Sequence, residues 1–191
     1  MRAMRLWLLM LWNYIDPLYY SFTRLTCLTE SDGKVKERNV FRVRLTRYKG
    51  ADVVLSDGIK IKHNDILLKI HLHNVEIMKE LKQFRSEFQK VRWLYQAVER
   101  SLPELAAYIR AHKHCDNIRG IIGITLLDNV SYRLGFDTIA ISNPIYKFIK
   151  WVTQIPIYYL TTSQFSWKML MKHQPNYLFM SKDSLFEKYG K

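Results

Sequence analysis

The run IRGIIGITLL, residues 118 to 127, holds one charged side chain, Arg119, in ten positions. So short and continuous an apolar stretch has no face for water, so it reads as a central strand covered on both sides. Downstream, elements alternate. A short helix through Tyr132 and Leu134 stops at Gly135, DTIAI is a strand, and Ser142-Asn143-Pro144 caps a helix through Trp151. PIYYLTT reads as a strand, Ser163 caps a helix through Met171, NYLFMS is a last strand, and Asp183 caps a terminal turn. This half predicts an α/β fold.

The first half predicts an antiparallel addition to that sheet. In VFRVRLTRY, Phe41, Val43 and Leu45 alternate with Arg42, Arg44 and Thr46, the period of a half-buried strand whose exposed face is basic. Asp57-Gly58, between ADVVLS and IKIKH, is a hairpin signal. After a turn at Asn64-Asp65 comes LLKIHLHN, where Leu68, Ile70 and Leu72 share one face and Leu67, Lys69, His71 and His73 the other. From Val75 the period lengthens. Phe84, Phe88, Val91, Tyr95, Val98 and Leu102 mark a long amphipathic helix, and the capping-box pattern of Ser101 to Glu104 with Pro103 predicts a second helix or a kink there, running to about Lys113. Gly120 and Gly123 are read as room for a helix packed on the sheet.

The chain has 191 residues, so one domain spanning 1–191 is expected, with 1–25 as an aromatic N-terminal helix and TESDGKVKERN, 29–39, as the loop joining it to the body. That N-terminal helix either covers the sheet or lies on a membrane. Arg2, Arg5, Trp7 and Trp12 are its candidate contacts, since tryptophan and arginine suit an interface. Its apolar run, Leu6 to Trp12, falls well short of the ~20 residues a span requires, and no small-residue cleavage site follows. With only Cys27 and Cys115, no disulfide framework is available and a reducing, cytoplasmic setting is expected, peripheral to the membrane if the helix lies on one.

The net charge is +13, from 30 Lys and Arg against 17 Asp and Glu, and it implies an anionic partner. Nucleic acid is not the expected one, because the cations are spread along the chain without a recognition-helix or aromatic RNA-binding signature. No cofactor is expected. The catalytic signatures are missing: no GxSxG, no HExxH and no phosphate-binding glycine loop. His63, His71 and His73 could approach one another as metal ligands, but Lys69 on the same face repels a cation and no carboxylate follows at a familiar spacing. Two other readings stand beside the metal one. The histidines are covered by a helix and hydrogen-bonded, or Arg42, Arg44, Lys69, His71, His73 and Asn74 form a basic face that takes phosphate or carboxylate.

The segments WNYIDPLYYSFTRL, LTRYKG, NDILLKIHLHN, SLPELAAYI, GIIGITLL, YRLGF and MSKDSLFEKYG together resemble the YkoP-like domain family over nearly the whole chain. Its most specific elements here are Asp65 ahead of the strand that ends in His71, Leu72, His73 and Asn74, and the later RLGF. The resemblance implies an accessory module of cell-envelope glycan or glycolipid metabolism. It would bind an anionic lipid or glycan head group, or a partner enzyme such as a glycosyltransferase or polysaccharide deacetylase. The alternative is a small enzyme, perhaps a transferase, using His71, His73 and Asn74. The family carries over no catalytic residues.

Overall fold

The computed structural model describes residues 25–28, 39–126, 131–161, 168, 171 and 174–190. The expected N-terminal helix with Arg2, Arg5, Trp7 and Trp12, the linker before Asn39 and the helix start at Ser163 lie outside the described residues. Among those described, eight strands run in chain order: β1 Thr26–Cys27, β2 Phe41–Arg47, β3 Val53–Val54, β4 Lys60–Ile61, β5 Ile66–Leu72, β6 Ile118–Thr125, β7 Asp137–Ala140 and β8 Asn176–Ser181. The helices are α1 Asn74–Leu81, α2 Glu87–Ala111, α3 Pro144–Thr161 and α4 Lys182–Tyr189.

Six strands form a mixed sheet of order β1-β2-β5-β6-β8-β7, with β3 and β4 as a separate hairpin. The N-terminal part is antiparallel, β5 and β6 are parallel, and β8 runs antiparallel to both β6 and β7. The α/β class is thus the one expected, with the apolar strand β6 at the centre. Ile121 on one face and Ile122 on the other are both buried.

On the first face, α2 lays Leu102, Leu105, Ala106 and Ile109 against Val43, Leu68, Ile70, Ile118 and Ile121. The spacing i, i+3, i+4, i+7 presents one stripe to the sheet. Each fully buried leucine or isoleucine contributes roughly 1.5–3 kcal/mol. This packing explains why no helix begins at Ser101. Pro103 lies inside α2, and the residues of the supposed capping box hold the sheet instead. Ser101 Oγ donates to the Ala97 carbonyl at 2.8 Å and accepts from the Val40 N–H at 3.2 Å, while Glu104 accepts from the Asn39 side-chain amide. The interruption falls earlier, at 82–86, and Ser86 begins α2 with the Gln89 side chain reaching back to its N–H at 3.4 Å.

On the second face, Leu67, Ile122 and Phe179 pack with Tyr48, Leu55 and Ile61 under the hairpin. Further along, α3 crosses this face. It continues through PIYYLT to Thr161, so the strand expected over PIYYLTT is a helix in its described residues. Aromatic and β-branched residues favour strands only weakly, and no glycine occurs between Gly135 and Gly190 to stop a helix that Asn143 has started, its Oδ1 accepting from the Tyr146 N–H at 2.9 Å. Two smaller expectations also change. Ser181, not Asp183, caps α4, its Oγ accepting from the Ser184 N–H at 2.9 Å. A Cβ on Gly120 would collide with the Met180 carbonyl of neighbouring β8, so a strand and not a helix requires that glycine.

The hairpin is tied to the β8–α4 corner by one carboxylate. Asp57 accepts from the Ser181 and Ser184 hydroxyls and from the Ile59 N–H, the last at 3.0 Å. Burial alone would raise its pKa, but these hydrogen bonds together outweigh burial and hold it below the usual carboxylate range. Asp57→Asn is expected to cost about 1–2 kcal/mol at neutral pH, measured by urea unfolding. A lowered folded pKa means the contribution is complete above the ordinary aspartate value and is lost as pH falls through the folded one. The two proteins should therefore converge in stability below about pH 4.

Candidate functional site

The pairing of β2 with β5 puts Arg42 opposite His71 and Arg44 opposite Lys69. All four side chains fall on the second face, as strand alternation requires. The basic face expected from the sequence is therefore assembled, but it is not an open one: Arg42 is 7% exposed, and the others are half-buried. From above, α3 adds Lys150 and Tyr146, which lie on one side of the helix at a spacing of four. The Lys150 ammonium sits 5.2 Å from the centre of the Tyr146 ring.

Strand and helix leave a cleft of about 570 Å³ between them. Arg44, Lys69, Thr46, Asn143, Tyr146 and Tyr177 line it, with Arg47 and Lys49 exposed at its margin, and no carboxylate belongs to the lining among the described residues. Its size is that of a small-ligand site. Its aromatic side is braced from below. Tyr146 stacks on Tyr177 at 6.3 Å, and Tyr48 meets Tyr177 and Phe179 edge-on at 6.1 and 5.4 Å. Burial first, then Tyr146 and Tyr48, raises the Tyr177 hydroxyl well above its usual pKa, so it stays a hydrogen-bonding phenol.

The electrostatics point one way. Burial, followed by the Lys150 and Arg44 charges, lowers the Lys69 pKa to about 8. His71 is lowered to about 3, by burial first and then by Lys69, Arg44, Lys150 and Arg42. Lys150 is lowered too, by burial and by Arg44. At neutral pH the His71 ring is therefore uncharged, and its buried Nε2 has no hydrogen-bond partner among the described residues. Lys69 makes no ion pair among them. An anion in the cleft would offset the cost at Lys69, which lines it with Arg44, whereas Arg42, His71 and Lys150 lie outside the lining.

The other candidates are placed differently. His73 is the N-cap residue of α1, and its Nε2 accepts from Arg42 Nη2 at 2.7 Å, which places the ring proton on Nδ1. It thereby positions Arg42. Asn74 is the first residue of α1, past the end of the strand. His63 occupies an exposed turn, with its Nδ1 3.2 Å from the Gly50 carbonyl and its N–H donating to Asp52. Among the described residues no three His, Cys, Asp or Glu side chains gather as a metal ion requires. Lys150, Tyr146 and Tyr177 were not among the residues singled out from the sequence. A signal for the helix pair existed, since Tyr146 and Lys150 lie opposite the apolar positions 145, 148, 149 and 152 of the same helix.

These features define a mixed α/β domain with a basic, aromatic-walled cleft between its sheet and a roofing helix. The chain belongs to the YkoP domain family, whose model matches residues 5–189. It is 47% identical over 185 residues, 96% of each chain, to a Bacillus subtilis (strain 168) protein, Uncharacterized protein YkoP. No solved structure matches the chain.

Proposed function

We propose that this protein is a non-catalytic binding module whose cleft holds the phosphate or carboxylate group of an anionic head group. The observation that carries this reading is Lys69: a desolvated ammonium on the wall of an open cleft, next to Arg44, with no carboxylate in the lining among the described residues. Thr46, Asn143 and the tyrosine hydroxyls add donors and acceptors suited to a polyhydroxylated ligand such as a glycan. The setting proposed from the family resemblance is envelope glycan or glycolipid metabolism on the cytoplasmic side, beside a glycosyltransferase or polysaccharide deacetylase. The geometry favours binding over catalysis by His71, His73 and Asn74, because the His73 ring is engaged by Arg42 and none of the three belongs to the cleft lining.

Sulfate titration calorimetry as a function of pH tests the reading, since sulfate keeps its two charges throughout the range. An anion raises the Lys69 pKa from about 8 toward or beyond its ordinary value, so the protonated form binds more tightly. Affinity should be flat up to about pH 7.5 and then fall by up to ~tenfold per pH unit, with proton uptake on binding. An affinity that does not change between neutral and alkaline pH would rule out Lys69 as the anion's partner.

A further inference from the structure

The helix that roofs the cleft has a second face. Tyr146 and Lys150 point toward the sheet, while Ile145, Phe148, Ile149 and Val152 are 71%, 63%, 50% and 42% exposed. Their spacing, i, i+3, i+4, i+7, makes one continuous apolar stripe on the outer side of α3. Phe148 stacks on Trp151 at 6.4 Å, so an aromatic pair edges the stripe, and Lys147 lies on that same flank. Isolated exposed apolar residues are ordinary; four in register on one helix are not.

The charge of this part of the chain indicates what covers it. From Thr138 to Lys182 the sequence contains no Asp or Glu over 45 consecutive residues, and of its lysines Lys147 flanks the stripe, while Lys150 faces the sheet and Lys182 donates to the Cys115 carbonyl. The helix itself carries lysine as its only charged residue type. A second copy of the chain is a poor occupant, because two molecules of net charge +13 repel each other. An anionic bilayer meets both requirements at once, with acyl chains for the stripe and anionic head groups for Lys147 and for a surface without acidic residues on this helix. No helix among the described residues is long and apolar enough to cross a membrane, and α3 is anchored to the sheet by its inner face, so it can lie on a bilayer but not span it.

We infer that the outer face of α3 is a docking surface for an anionic membrane, with Ile145, Phe148, Ile149 and Val152 entering the acyl boundary and Lys147 on its flank contacting head groups. The inference stands apart from the cleft, since the residues concerned face away from it. Four side chains bury little area, so docking depends on both contributions and weakens with salt.

Co-sedimentation with vesicles tests it. The full chain should bind vesicles of phosphatidylglycerol and phosphatidylcholine mixed about one to three, and bind pure phosphatidylcholine at least ~tenfold less well. Phe148→Ser with Ile149→Ser should lose at least ~tenfold in affinity for the anionic vesicles while remaining folded by its melting curve, because both side chains are at least half exposed. The double variant should keep the parent's sulfate affinity, because the stripe faces away from the cleft. Any of three results would overturn the inference: no binding by the parent, equal binding by the double variant, or loss of sulfate affinity in the double variant. Equal binding would leave the stripe to a second copy or to another segment of the chain, which size-exclusion chromatography and hydrogen exchange of α3 would separate.

Discussion

Lys69→Met is expected to make the protein more stable and at the same time to reduce its sulfate affinity at pH 7 by at least ~tenfold. Both effects come from one ammonium group. Lys69 is half-buried beside Arg44 and within the field of Lys150, and its pKa of about 8 measures how strongly the folded protein disfavours its charge. In the unfolded chain the same group titrates near 10.4. The folded state therefore binds fewer protons between those values, and the stability of the parent should rise with pH from about 8 to about 10 and lie lowest below 8. Methionine has a similar length and no charge, so the variant should gain roughly 1–3 kcal/mol at pH 7 in urea unfolding and lose the rise at alkaline pH. A lysine held only for packing would give the stability gain without the loss of sulfate binding. A variant that is less stable than the parent would show that Lys69 has a favourable partner in the folded state.

How much of this was readable in the sequence follows from the range of the interactions involved. Strand alternation is local, so Arg42, Arg44, Lys69 and His71 could be assigned to one face before the pairing of β2 with β5 brought them together. Whether that face was open was not local information. It depends on α3, more than seventy residues further along the chain, and the C-terminal half of that helix is written in residues with strand preference. The fate of Ser101 is a similar case. Its spacing to Glu104 fits a capping box, yet a hydroxyl that meets both the Ala97 carbonyl and the Val40 N–H does more for the fold inside a helix than at the start of one. His73 is the reverse: period-two alternation puts it with Lys69 and His71, but the strand ends at Leu72, His73 takes the N-cap position of a helix and its ring holds Arg42. Adjacent histidines therefore serve different purposes here. The two-residue spacing of His71 and His73 records the junction of a strand and a helix more than it records a shared chemistry.

Phe179→Ala should have the largest effect on stability, roughly 3–5 kcal/mol, measured by urea unfolding. Its side chain is fully buried on the second face, between Leu67, Ile122 and Tyr48 and beneath Tyr177. Against a total stability of about 5–15 kcal/mol this leaves a marginal fold, so binding must be measured on the folded fraction at low temperature. Leu105→Ala, equally buried but against the opposite face under α2, should cost about 2–5 kcal/mol. The comparison separates general stability from the support of the cleft. Removing Phe179 withdraws the brace from Tyr48 and Tyr177 and leaves a cavity that the cleft wall can fall into, so the folded Phe179→Ala protein should bind sulfate more weakly than the parent. Removing Leu105 leaves both tyrosines, Lys69 and α3 seated as before, so its folded fraction should bind as the parent does. If the two variants lose sulfate affinity equally, the cleft depends on the sheet as a whole and not on the aromatic cluster beneath it.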